Sequence, residues 1–292
     1  MIMEATKKAI VLGIIVLMVG VGVVQNIKTT AKVDPIEGLV GYWNFNEGTG
    51  TIIHDSSGNG NNGTINGDSQ WVNGVNGTGL LFNGEDIVEI SDNWILNPSQ
   101  ITICCWVKFN RLAYGPGNSG ADSQVMICKD GDRTSGEYHL SQGGSNSSSF
   151  WIGYEIGEYW NGNYVKGLYP LETDYWYFIT GTYDGNTMKL YLNGDILASK
   201  HVGNISFGND KPLYFSYNNV SSFPYYLDGV LDEVRIYNNA LSEGEISLLY
   251  ITTRTQPTGN DKTDKKGTPG FELLLFICAI ALVLLLKRRR VK

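Results

Sequence analysis

Short apolar runs in which every second residue is hydrophobic, punctuated by Asp-Gly and Asn-Gly pairs, dominate the middle of this 292-residue chain. Over residues 101–109, Ile101, Ile103, Cys105, Val107 and Phe109 share one face, and Thr102, Cys104, Trp106 and Lys108 share the other. That is the two-residue period of a strand with two distinct faces. An aromatic run over 176–183 ends at Asp184-Gly185-Asn186; residues 188–192 follow, then Asn193-Gly194, then 195–199. Asp-Gly and Asn-Gly accept positive φ at little cost, so they close hairpins whose twist suits the flanking strands. Three strands of an antiparallel meander are predicted over 176–199, and a further strand over 227–237. The abundance of glycine (36) and tyrosine (17) with only 17% charged residues suits strands and turns better than long helices. One short helix is expected, because Ser242-Glu243-Gly244-Glu245 has the capping-box pattern and Leu241 and Ile246 are spaced for a hydrophobic staple. It is expected to cover a sandwich edge and to end near Tyr250.

The formal net charge is −7, but residues 36–250 hold 24 acidic and nine basic side chains, a balance of −15. An acidic body argues against nucleic acid and anionic lipid as partners, and is compatible with cation binding or with simple solubility. The positive charge gathers at the ends. Lys7-Lys8 precede an apolar stretch over 9–24, and Thr29-Thr30-Ala31 supplies small residues after it. Residues 1–31 read as a secretory signal, with an uncleaved N-terminal anchor as the alternative. Residues 251–268 are polar, repeat threonine and cannot bury a core, so they read as a linker. Pro269-Gly270-Phe271, an apolar run over 273–286 and Lys287-Arg288-Arg289-Arg290 follow. The basic cluster fixes this end on the cytoplasmic side. Over 269–292 this order resembles the PGF-type C-terminal sorting signal of archaeal surface proteins, which implies removal of the tail and a lipid anchor; a plain transmembrane tail is the alternative. Either places the body on the extracellular face of the cell membrane. The Asn-X-Ser/Thr sequons at Asn62, Asn76, Asn146, Asn204 and Asn219 agree with glycosylation in that location. Among the four cysteines, Cys278 lies in the C-terminal apolar run. Cys128 could form a disulfide with Cys104 or Cys105, which point to opposite faces of one strand, or all three could be buried free thiols.

An ordered series of segments carries a family resemblance: Gly41-Tyr42-Trp43-Asn44-Phe45-Asn46-Glu47-Gly48-Thr49-Gly50, then Asp55-Ser56-Ser57-Gly58-Asn59-Gly60-Asn61-Asn62-Gly63. Gly79-Leu80-Leu81-Phe82-Asn83-Gly84, the 101–107 strand, Thr180-Gly181-Thr182-Tyr183-Asp184-Gly185 and Leu231-Asp232-Glu233-Val234-Arg235-Ile236-Tyr237 complete it. Together they resemble the LamG-like jelly roll of the concanavalin A-like lectin/glucanase superfamily. The resemblance implies an all-β, two-sheet antiparallel sandwich over 36–250, here flanked by N- and C-terminal apolar helices.

Members of that family often hold one structural calcium. Carried over by position, Asp55 would give a carboxylate, Asn59 and Asn62 carbonyl oxygens, and Asp232 a second carboxylate. The Gly/Asn loop opened by Asp55 is rich in the hard oxygen donors that Ca²⁺ requires. The alternative is an Asn-Gly turn whose Asp caps its own backbone. A second candidate site is aromatic. The stretch 150–177 is dense in Trp and Tyr, and Trp160, Tyr159 and Tyr164 stand in a loop-like context where rings stack on sugar faces, unless they pack in the core. Glucanases share the fold, but in Glu85-Asp86-Ile87-Val88-Glu89 the place of a central acid holds Ile87, and two strand positions four apart lie about 13 Å from each other, too far for a glycosidase pair. His54, His139 and His201 show no metal-ligand spacing. The expectation is a non-enzymatic surface module, stabilised by calcium, that binds carbohydrate; the alternatives are a protein-adhesion or scaffold module and, behind these, a glycoside hydrolase.

Overall fold

The computed structural model describes residues 36–113, 123–129, 137–146, 149–157, 163–205, 209–220 and 223–254. The expected secretory segment and the C-terminal sorting segment, with the apolar helices expected there, lie outside these residues, as does the linker from residue 255 onward. Among the described residues no helix is long and apolar enough to cross a membrane.

Two eight-stranded antiparallel sheets stack as a sandwich. The first runs in the order β14 (Asp195–His201), β13 (Thr187–Leu192), β12 (Trp176–Tyr183), β7 (Ile101–Phe109), β18 (Asp228–Tyr237), β5 (Thr78–Asn83), β4 (Gln70–Asn73), with β1 (Leu39–Trp43) also paired to β18. The second runs β11 (Tyr164–Tyr169), β10 (Ser149–Gly157), β9 (Glu137–Asn146), β8 (Gln124–Lys129), β15 (Leu213–Phe215), β6 (Ile87–Ile90), β3 (Gly63–Asn66), β2 (Ile52–Ile53). A separate hairpin joins β16 (Asn218–Val220) to β17 (Phe223–Tyr225).

The meander read from the turn residues is β12–β13–β14. Asn193 and Gly194 both adopt positive φ, 53° and 88°, as a two-residue hairpin turn requires. At the preceding turn the Asp184 carboxylate accepts hydrogen bonds from the Asn186 and Thr187 amides. The core-facing set expected for 101–109 is also found: Ile101, Ile103, Cys105, Val107 and Phe109 all enter the main hydrophobic cluster. Across the sandwich they share that cluster with Val88, Ile90, Leu140, Tyr154, Ile156 and Phe215 of the second sheet. Trp43 bridges the layers: its ring meets Phe215 edge-on at 5.1 Å, and its buried Nε1–H donates to the Asn61 carbonyl at 2.8 Å. A fully buried indole keeps its polar edge satisfied in this way.

Strand β18 changes partner midway. Asp228–Leu231 pairs with β5, Val234–Tyr237 with β1, and the irregularity between Asp232 and Arg235 marks the hand-over. At that bulge Glu233 takes φ 55°, a left-handed conformation that costs a non-glycine residue about 1–2 kcal/mol. Three side chains hold it there. Its buried carboxylate accepts the Tyr42 hydroxyl at 3.0 Å, the Asn76 amide at 3.2 Å and the Arg235 guanidinium at 2.5 Å.

Helix α1 (Glu243–Thr252) starts at the expected capping box, with Ser242 and Glu245 bonded reciprocally, and runs two residues past Tyr250. It packs on β14, the edge strand of the first sheet, with Ser247 Oγ donating to the Gly194 carbonyl at 3.4 Å, and it reaches onto the outer face beside that edge. Trp106 and Phe178 point away from the core, and Tyr250 stacks on Trp106 at 5.5 Å while Thr253 Oγ1 accepts the Trp106 indole N–H at 2.7 Å. The helix therefore covers the edge of the first sheet together with the adjoining outer face, where the Trp106 and Phe178 rings need burial.

Candidate functional site

The Gly/Asn loop closes around Asp55. Its carboxylate accepts three backbone N–H groups, from Tyr42 (3.0 Å) and Ser57 (2.9 Å) on Oδ1 and Asn61 (2.9 Å) on Oδ2. Asn62 Oδ1 accepts the Asp55 amide at 2.8 Å, and the Asn59 Nδ2 group donates to the Val40 carbonyl at 3.2 Å. Asn61, buried, donates to Val40 as well and accepts from Asn93, tying the loop to the 3₁₀ turn Trp94–Leu96. Three of the roughly four lone-pair directions of the Asp55 carboxylate thus face amide hydrogens, which a cation would have to displace.

Asp232 serves a different turn. Its Oδ2 accepts the Asn76 amide at 2.9 Å, in the turn joining β4 to β5. Gly74 lets the chain come this close, since a Cβ there would lie 2.4 Å from Asp232 Oδ2 and 2.5 Å from the Thr78 carbonyl oxygen. Burial pushes the Asp232 carboxyl up to about 8, against the opposing pull of the backbone N–H groups it accepts. Asp55 and Asp232 share none of these partners. Among the described residues no group of three or more His, Cys, Asp or Glu side chains is placed to hold a metal ion. In this arrangement Asp55, Asn59 and Asn62 tie down the Gly/Asn loop and Asp232 the turn joining β4 to β5.

The second sheet builds a different surface. Tyr138, Leu140, Tyr154, Ile156, Val165, Val88, Ile90, Leu213 and Phe215 face the core, so the residues alternating with them face outward. Strand register sets eight of these outward residues directly opposite one another in turn: Ile52, Thr64, Glu89, Tyr214, Cys128, His139, Glu155 and Tyr164. They form one line across all eight strands. Neighbouring strands lie about 4.8 Å apart, so Tyr214 and Tyr164, four spacings apart, stand about 19 Å from each other. Within the line His139 Nε2 and Glu155 Oε2 lie 3.4 Å apart, and both residues are buried.

Beside Tyr214 the line widens into an aromatic patch. Tyr214 meets Tyr217 edge-on at 5.1 Å, and Tyr217 meets Tyr226 at 5.5 Å; all three are half-buried. Ser216 makes this possible. It sits at φ 66°, buried, its hydroxyl accepting the Leu227 amide at 3.0 Å, so the chain turns sharply after β15 and brings Tyr217 back beside Tyr214. Tyr225 packs with Val125 and Cys128 in a small cluster apart from the main core, which lays the β16–β17 hairpin against this same face.

Of the aromatic residues singled out from sequence, Tyr164 lies at one end of the line, with 38% of its surface exposed. Tyr159 and Trp160 fall outside the described residues. The cysteine pairing is corrected: Cys104, Cys105 and Cys128 are buried free thiols. Cys104 and Cys105 belong to β7 in the first sheet, whereas Cys128 belongs to β8 in the second and points away from the interior, so no bridge can span them. Burial pushes the Cys104 thiol up to about 12, which makes it unreactive. Among the sequons, Asn62 and Asn204 are exposed, while half-buried Asn76 gives its amide to Glu233. Asn146 and Asn219 lie in β9 and β16, and their side chains are outside the described set. In the Glu85–Glu89 segment, Asp86 is a buried turn anchor that accepts the Asp68 amide at 2.7 Å. Glu89 and Glu155, the carboxylates in the line, are four strands and about 19 Å apart, beyond the reach of paired glycosidase acids. The Tyr214–Tyr217–Tyr226 patch was missed from sequence, although four tyrosines within 214–226 were a signal in plain view.

Comparison with known proteins places this architecture. Solved structures with the same fold include domain 4 of AbnA, an extracellular GH43 arabinanase from Geobacillus stearothermophilus in complex with arabinotriose: TM-score 0.55, 20% identity, 73% of this chain and 98% of that one covered. The binding domain of Paraclostridial Mosquitocidal Protein 1 is similar at TM-score 0.55 and 20% identity, with 74% and 52% covered. The binding domain of botulinum neurotoxin DC in complex with SialylT is similar at TM-score 0.54 and 14% identity, with 75% and 52% covered. This chain spans about half the length of the two toxin domains. Two of these neighbours are described as binding domains and the third as one domain of a larger enzyme, and at such identities the likeness establishes the fold. A comparison with curated proteins returns no match. A family model described as the concanavalin A-like lectin/glucanases superfamily matches residues 82–247, more than half of the chain and most of both sheets. This chain therefore belongs to the concanavalin A-like lectin/glucanase superfamily.

Proposed function

We propose that the outward face of the second sheet is a non-catalytic platform for polysaccharide, in a module displayed on the outer face of the cell membrane. The carrying observation is the Tyr214–Tyr217–Tyr226 patch on the outward face of the second sheet. Half-buried tyrosine rings, fixed by packing on one side and open on the other, stack on the apolar faces of sugars, and their hydroxyls bond sugar hydroxyls. Thr64 and Glu89, the next residues of the line on the side away from buried Cys128, supply hydrogen-bonding groups beside the patch. The family and the arabinotriose-bound neighbour support the reading without fixing the ligand. Protein adhesion is the alternative, because two of the similar toxin domains are described as binding domains and a flat strand face also suits a protein partner.

The test is retention on a panel of immobilised neutral and acidic polysaccharides, comparing the full chain with Tyr217→Ala. At least one polysaccharide is expected to retain the wild type, and Tyr217→Ala is expected to weaken that binding about ten-fold while the variant still unfolds cooperatively. Since the Asp55 loop is closed by its own hydrogen bonds, added chelator is expected to leave retention unchanged. A folded wild type that no polysaccharide retains would shift the assignment to a protein partner.

A further inference from the structure

We infer that Asn62 carries an N-linked glycan that lies over the outward face of the second sheet and competes with outside polysaccharide for the tyrosine patch; this rests on the surface location and the polysaccharide reading above. The structure separates the sequons. Asn76 is half-buried, and its Nδ2 already donates to Glu233 at 3.2 Å, at the bulge where that residue takes positive φ. Asn204 is exposed but follows β14, in the first sheet. Asn62 is exposed and leads directly into β3, in the second.

The Asn62 amide is divided between two tasks. Its Oδ1 accepts the Asp55 N–H at 2.8 Å, which fixes the side chain and closes the loop. Its Nδ2, the atom to which a glycan is joined, donates to no protein group among the described residues. Glycosylation keeps the carbonyl oxygen, so the loop stays closed. Thr64, whose hydroxyl completes the acceptor motif, is exposed as well. Gly63 between them turns inward, where a Cβ would lie 2.6 Å from Val88 Cγ1. That close packing on β6 locks the register, with Gly63 and Ile65 buried and Asn62, Thr64 and Asn66 exposed. In the transfer, from a lipid-phosphate-linked oligosaccharide, the bond between Nδ2 and the anomeric carbon forms as the bond from that carbon to the phosphate oxygen breaks. The nitrogen gives up one proton, and the lipid phosphate leaves with the electron pair.

Position then gives the glycan a target. Thr64 stands opposite Glu89, and Glu89 opposite Tyr214. Two residues along the strand and two strands across put Asn62 about 12 Å from Tyr214. An oligosaccharide on Asn62 reaches the Tyr217 and Tyr226 rings, which stack on apolar sugar faces whatever chain carries them. The tether holds it there at an effective concentration on the order of millimolar. The glycan is a competitor built into the chain, and its removal opens the platform.

The full chain and Asn62→Gln are produced in a host that N-glycosylates exported proteins and in one that does not. Binding to immobilised arabinan, polygalacturonate and cellulose is then titrated, and sugar is located by peptide mass spectrometry. Sugar is expected on Asn62 and not on Asn76. The glycosylated wild type is expected to bind about ten-fold more weakly than the unglycosylated one, as when the patch is open about one-tenth of the time. Asn62→Gln from the glycosylating host is expected to recover that loss, and the two unglycosylated proteins to bind alike. Asn62 without sugar, or sugar on Asn62 with no loss of binding, would overturn the competitor and leave the platform standing. Failure of the folded, unglycosylated wild type to bind all three polymers would overturn both.

Discussion

Asp232 is fully buried at the point where β18 leaves β5 for β1, and its carboxyl is pushed up to about 8 by that burial. In the unfolded chain the same group titrates near 3.8. Between these values the folded state keeps a proton that the unfolded state has lost, so this group makes the protein less stable as pH rises from about 4 to about 8. An asparagine in its place would keep the acceptor for the Asn76 amide and remove the charge. Asp232→Asn is therefore expected to flatten the decline and to stabilise the protein at pH 8 by about 1–3 kcal/mol, measured by urea unfolding across that range. An unchanged decline would mean that another group carries it. Asp55 makes the contrasting residue-scale case. It is a partly exposed carboxylate spent on three amides, the arrangement foreseen in the turn alternative for the Gly/Asn loop. These turn-closing bonds were legible because an Asp followed by Ser, Gly and Asn organises its own backbone. Glu233 was not legible, because nothing local marks a glutamate for positive φ; only the change of partner strand forces it.

Among the elements, those specified by neighbouring residues were the readable ones. The β12–β13–β14 meander follows from two turn dipeptides, and the start of α1 follows from its capping box. Where α1 docks depends on Trp106 and Phe178, more than sixty residues away in sequence, and the helix pattern alone could not choose between an edge and a face. The docking carries a measurable cost. Tyr250→Ala removes a ring stacked on Trp106 and close to Phe178, and is expected to destabilise the protein by about 2 kcal/mol. Ser242→Ala removes only the cap and is expected to cost about 1 kcal/mol. Urea unfolding of the two variants checks the order; a larger loss for Ser242→Ala would mean that the helix is held by its cap and not by the sheet.

For the molecule as a whole, the two-sheet sandwich was legible because alternation and turn chemistry recur along the whole body, and the order of motifs resembled one family. The face of the second sheet was not. Its line of outward residues draws one position from each of β2, β3, β6, β15, β8, β9, β10 and β11, an order that jumps back and forth through the sequence. Residues as distant as Glu89 and Tyr214 become neighbours only when the register of every intervening pair is known. The tyrosine patch depends further on Ser216 turning the chain, a conformation that serine seldom adopts. What unites the account is the claim that ligand is held by that face and not by the loops at the Asp55 end. Hydrogen–deuterium exchange of the full chain, free and saturated with whichever polysaccharide it retains most strongly, tests this directly. The expected result is added protection in β8, β9, β15 and the 216–226 segment, with the 55–62 loop unchanged. Protection confined to the 55–62 and 91–97 loops would contradict it and move the binding site to the end of the sandwich.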